Sequence, residues 1–268
     1  KNLFFGQYTR TQSFFSNSEL AATGLPSAAE LKMLEPLKGQ IPEEVFTTEF
    51  KLPKTDGSGK SRRQLRRAKK LLNAAGWSVK EQRLVNGKTG KAMEIEILLV
   101  NQGFARIVAP IQRSMERLGV KVNIRVVDTS QYINRIRDFD FDLIVGGWGQ
   151  SLSPGNEQRD FWGTAAADRA GSRNYIGIKD PAVDKLIDHI IFAGSRAELV
   201  AASRALDRVL LWNHFVIPNW HINSYRIAYW NRFARPKTKP KYALGFSDTW
   251  WIDKSKDEAL RASLKGRK

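Results

Sequence analysis

Between residues 62 and 146 the apolar residues switch back and forth between a period near 3.6 and a period of two, and no other feature narrows the possible folds as much. Leu65, Ala68, Leu71, Leu72 and Ala75 share one inward face of a helix over 62–75 that Gly76 ends. Residues 93–100 read as a strand, with Glu94 and Glu96 pointing away from Ile95 and Ile97. A second helix spans 104–118, kinked or started late by Pro110 and stopped at Gly119. Val120, Val122, Ile124 and Val126 then alternate strictly in a strand over 120–127, a short helix follows at 130–137, and residues 141–146 form an apolar strand of the buried kind. Right-handed crossovers make such a run into a parallel sheet flanked by helices, with strands 120–127 and 141–146 expected side by side. Ligands of such sheets bind beyond the carboxyl ends of the strands. The last strand ends there in Gly146-Gly147-Trp148-Gly149, which sets a large aromatic on a small-residue turn over an open groove.

Around this unit lie less regular segments. Proline and glycine punctuate residues 16–60, an ordered but irregular arm with one short helix at 27–34 started by the capping box Ser27/Glu30. Asp180 and Pro181 open a helix striped by Val183, Leu186, Ile187, Ile190 and Ile191, and Ser195 with Glu198 caps another running to Trp212. Residues 215–222 and 225–230 read as extended, and 254–268 as a frayed basic tail. The reading divides the chain into residues 1–222 and a return segment, 223–268. The aromatic run at residues 3–15 follows no leader pattern, so the chain is expected to be part of something longer.

Chemistry is limited mainly by what the residues omit. With no cysteine there is no thiolate metal site and no Cys nucleophile, and three scattered histidines suggest no metal or cofactor. No nucleophile-elbow, zincin, P-loop or dinucleotide-binding signature occurs. Asp140 and Asp142 could form a carboxylate pair, but they read more simply as turn and strand-start residues, and an enzyme is not expected. Lys and Arg outnumber Asp and Glu by 44 to 27, a net charge of +17 that raises a polyanionic partner: nucleic acid, anionic lipid or an acidic ligand. The densest cluster, KSRRQLRRAKK at 60–70, offers only Gln64 to read a base edge, and its cations suit a solvated outer face.

The aromatics point elsewhere. Six of the eight tryptophans, Trp148, Trp162, Trp220, Trp230, Trp250 and Trp251, lie in or beside loops and edges. A glycine-flanked Trp148 suits a wall against which a ligand packs. Gln150, Ser151, Asn156 and Arg159 supply amide, hydroxyl and guanidinium groups just after it, suited to an extended peptide's backbone and carboxylate; Ser153 and Asn156 also suit a plain turn around Pro154-Gly155.

The segments RRQLRRAKKLLNAAGW (62–77), LGVKV (118–122), YINRIRDFDFDLIVGGW (132–148), NYIGIKDPAVDKLI (174–187) and VIPNW (216–220), in that order and spacing, resemble the peptide/nickel class of extracellular solute-binding proteins. YTRTQSFFSNSELAA (8–22), EEVFTTEF (43–50), RALDRVLLW (204–212) and LGFSDTWWID (244–253) are similar to its Yej-type branch, linked to uptake of peptides and of the peptide–nucleotide antibiotic microcin C. The resemblance implies a periplasmic, two-lobed α/β binder of which this chain is the distal lobe plus a segment returning to the first lobe. It implies closure over a peptide or peptide conjugate, delivery to an inner-membrane ABC permease, and a monomer that binds no nucleic acid. It also implies that the turn 148–151 and the strand at Trp220 and His221 face the cleft; Trp162, Arg173 and Asn174 complete the candidate ligand-binding residues. Relatives that hold a peptide amino group place an Asp three residues after the matching Trp; here Ser151 stands there, and Asp160 or an acid of the first lobe is a candidate substitute. Arg159, Arg169 and Arg173 would attract an anionic ligand if they line the cleft; the alternative is that they are plain surface residues. An oligosaccharide or murein fragment on the same scaffold, and nucleic acid on the basic surface, stay open as alternatives.

Overall fold

Glu94–Leu99 is the hub of the sheet. In the structure, a computed structural model that describes residues 4–55, 58–222, 224–240 and 245–265, this strand pairs in parallel with Lys121–Val126 on one side and Leu143–Ile144 on the other. Ile97 lies opposite both Ile124 and Leu143. The expected pairing of 120–127 with 141–146 is therefore wrong. The burial pattern explains the order: Ile97, Leu98 and Leu99 are buried in succession, as a strand covered on both faces requires. Lys121–Val126 is an edge strand, with Val122 buried between exposed Lys121 and Asn123. Leu143–Ile144 is shorter than expected, because Asp142 replaces backbone pairing at its start, its carboxylate accepting the Glu96 N–H at 2.8 Å.

The crossovers are helices Gln102–Glu116 and Thr129–Arg137, begun by Asn101 and Asp128, whose side chains accept the N–H groups of Gly103 and Gln131. Pro110 lies inside the first helix without ending it or delaying its start. Helix Arg62–Ala74 is followed by a hairpin, Trp77–Lys80 with Arg83–Asn86, that the hydrophobic pattern did not suggest. Its two turn residues, Glu81 and Gln82, both have positive φ, a geometry usually announced by Asn-Gly or Asp-Gly. The inward stripe of Arg62–Ala74 is only partly covered: Leu72 packs on the sheet core while Leu71 is 62% exposed.

The larger core is helical. Pro181–Ile191 and Arg196–Trp212 pack together over Leu34, Val45, Phe161 and Trp162. Both helices start at the expected caps, and Ser27 and Glu30 form the expected capping box before Ala28–Leu34. Arg196–Trp212 carries two buried charges that tie down the proline-rich arm. Arg208 bonds Glu30 at 2.6 Å and donates to the carbonyls of Thr23, Gly24 and Leu25. Asp207 accepts the N–H groups of Phe14 and Ala22 at 2.8 and 2.9 Å.

All of this belongs to one compact unit, residues 1–6 and 10–219; residues 7–9 and 220–268 form another. In the second, Phe233–Ala234 pairs antiparallel with Trp251–Ile252, and Tyr229, Phe233 and Trp250 cluster, with the Tyr229 and Trp250 rings 4.8 Å apart. Residues 225–230, read as extended, pair in no strand. The expected frayed tail is instead a helix, Lys254–Lys265, whose first turn Asp253 caps by accepting the Lys256 N–H. Leu244 and residues 266–268 lie outside the described residues.

Candidate functional site

The carboxyl end of Leu143–Ile144 leads into the turn Gly146-Gly147-Trp148-Gly149. None of these glycines has positive φ, and a Cβ added at any of them would meet nothing within 4 Å. Neither backbone conformation nor packing therefore demands glycine here. With three glycines around it, the indole is the one side chain on this turn.

Trp148 itself is only partly buried, and its seat is firm. The indole N–H donates to the Arg173 carbonyl at 3.0 Å. Its ring centroid lies 4.6 Å from that of Trp162, 5.9 Å from Tyr175 and 6.3 Å from Phe14. Phe14 in turn meets Trp162 edge-on at 5.1 Å. One side of Trp148 is thus built into the core while the rest stays open, which suits an indole held ready for a flat or extended ligand.

The following segment forms a polar frame. Gln158, wholly buried, accepts the Trp162 indole N–H at 2.9 Å and donates to the Gln150 side-chain amide oxygen at 2.7 Å. Ser151 is exposed, and its hydroxyl accepts the Ser153 N–H. Asn156 is exposed at the start of helix Glu157–Trp162 and makes no side-chain cap bond; the Gly155 N–H donates to the Glu157 carboxylate at 2.9 Å. Asp160 accepts from Arg169 and, at 3.0 Å, from Arg173, whose guanidinium also lies over the Phe161 ring at 4.2 Å. Arg159 pairs with Asp188 at 2.7 Å.

The structure joins Trp148 to Arg173, Arg173 to Asp160 and Gln150 to the buried Gln158, while Ser151 and Asn156 are exposed on the segment between. It corrects two residues. Trp162 and Asn174 have no exposed surface. Asn174 spends its amide on Gly163 and Ile178, and Trp162 supports Trp148 from beneath, so neither presents a face to a ligand. Asp160 faces two arginines and carries little free negative charge for a peptide amino group. Trp220 and His221 form a short strand of the second unit. Sequence reading missed Phe14 and Gln158: Phe14 lay in an aromatic run with no period, and a glutamine's burial leaves no periodic trace.

The middle-region model of the family 5 bacterial extracellular solute-binding proteins matches residues 1–169. A protein of Agrobacterium fabrum (strain C58) described as the probable peptide-binding protein YejA is 49% identical over 95% of this chain and 42% of its own length. The uncharacterized protein YejA of Escherichia coli K12 is 40% identical over 99% of the chain and 44% of its own. This chain therefore spans less than half of the curated relatives it matches. Among solved structures, the oligopeptide-binding protein AppA of Bacillus subtilis, in complex with a nonapeptide, superposes with a TM-score of 0.54 at 18% identity, over 84% of this chain and 45% of that one. That likeness bears on the fold alone.

Proposed function

The chain belongs to the family 5 bacterial extracellular solute-binding proteins, and from that premise we propose that it is part of the periplasmic substrate-binding component of an ABC importer. Its ligand is a peptide or peptide conjugate held in an interlobe cleft of the whole protein and handed to the inner-membrane permease. The observation that carries this reading is the 49% identity, across nearly the whole chain, to a relative described as peptide-binding. That likeness favours peptide over the oligosaccharide and nucleic-acid alternatives. The family is one of binding proteins, and catalysis has no part in the reading.

In this reading the parallel sheet supports the turn, the core anchors one side of Trp148, and the glycines let a peptide backbone approach closely. Gln150, Ser151 and Asn156 offer polar groups along the same stretch, and Arg173 offers a cation to an anionic group, although Asp160 already neutralises part of its charge. Ser151 cannot pair with an ammonium as an aspartate does, and Asp160 is committed to arginines. A free peptide amino terminus is therefore not held by Ser151 or Asp160.

The test is Trp148→Ala in the intact protein, titrated calorimetrically with a peptide identified by mass spectrometry of co-purifying material. Losing most of an aromatic contact should weaken binding by about tenfold to a hundredfold. Far-ultraviolet circular dichroism should be unchanged. Undiminished affinity would remove Trp148 from the site.

A further inference from the structure

Beyond ligand capture, we propose that helix Arg62–Ala74 docks on the anionic phospholipid surface of a bilayer. From Lys60 to Lys80 the chain carries eight cations and no acid. Arg62, Arg63, Arg66, Arg67, Lys69 and Lys70 are all exposed, and among the described residues none of the six has an ion-pair partner. At helical spacing they occupy one arc of roughly 160° over about 12 Å of axis. Elsewhere the basic residues are often spent internally: Arg135, Arg159, Arg173, Arg196 and Arg208 all pair with acids.

Two observations favour a lipid surface over a duplex. Gln64, the one side chain on this helix suited to a base edge, donates its amide to the Lys54 carbonyl at 3.0 Å. Leu71, 62% exposed, borders the cationic arc, and no residue of the helix is buried. A cationic arc edged by an uncovered leucine is the pattern of a helix lying in a headgroup layer, where each cation adds attraction and an apolar side chain can enter. Charge complementarity thus identifies the partner as phosphate headgroups displayed on a membrane.

The experiment uses the intact protein in sedimentation with vesicles of phosphatidylcholine, with and without phosphatidylglycerol. The protein should partition onto the phosphatidylglycerol vesicles at low salt, ignore pure phosphatidylcholine, and be released as salt rises to roughly 0.5 M. The combined substitution Arg62→Gln, Arg63→Gln, Arg66→Gln and Arg67→Gln keeps helix propensity and should cut partitioning roughly hundredfold, with circular dichroism and peptide affinity unchanged. No partitioning, equal partitioning by the variant, or displacement by a DNA duplex at equal phosphate would each overturn the proposal. Loss of the peptide reading alone would leave it standing, because the two measurements use different ligands and different residues.

Discussion

At the residue scale, Asp207 shows how a buried charge can act at a distance from the surface. Burial pushes its carboxyl up from 3.8 to about 6, opposed by hydrogen bonds from the Ala22 N–H, Ser13 and the Phe14 N–H and by the charge of Arg208. The folded value lies above the unfolded one, so between pH 3.8 and about 6 the native chain keeps a proton that the unfolded chain has lost. This group's contribution must therefore fall as pH rises through that window and level off above it, by about 3 kcal/mol in all. Urea unfolding of wild type and Asp207→Asn should show it: the stability difference between them should drift across this range and stay flat above it. A difference independent of pH would show that the carboxyl titrates normally. The turn glycines give a second test at this scale. Gly147→Ala meets open space at ordinary φ, so melting should move by no more than about 0.5 kcal/mol equivalent, while peptide affinity should drop if a ligand backbone lies against the turn.

At the scale of elements, connections between segments decide what the local patterns only begin. Gly119 ends helix Gln102–Glu116 with φ +87°, and its carbonyl accepts the Leu84 N–H of the hairpin at 2.7 Å. A Cβ there would lie 2.8 Å from the Leu84 nitrogen. Gly119→Ala combines left-handed strain with a backbone clash, and should cost about 2–4 kcal/mol in denaturant unfolding of the intact protein. The glycine was legible as a helix stop, but its second task was not, because the hairpin it touches lacked the usual turn residues. Arg208 makes the complementary point. It sits on Arg196–Trp212 and satisfies Glu30 and three carbonyls of an arm roughly 180 residues earlier in sequence. Arg208→Ala strands a buried carboxylate, and a loss of about 3–5 kcal/mol in the same assay is expected. The pattern of residues 196–212 marks a capped helix but not this contact, since a period describes one helix face and not what arrives there.

At the scale of the whole molecule, the chain spans 42% of the relative described as a probable peptide-binding protein, and the proposed interlobe cleft needs two walls. The chain by itself should bind peptide at least about a hundredfold more weakly than the intact protein in the same calorimeter; equal affinities would contradict the two-lobe account. Caps, helix stripes, the parallel crossover unit and the glycine-flanked indole were all legible in the sequence, because each depends on residues a few positions apart. The order of the strands, the wholly enclosed Trp162 and Asn174, and the capture of the arm by Asp207 and Arg208 belong to the tertiary structure. They depend on which surfaces meet across the chain, and that is decided when covering both faces of Glu94–Leu99 and satisfying every buried charge must be achieved together.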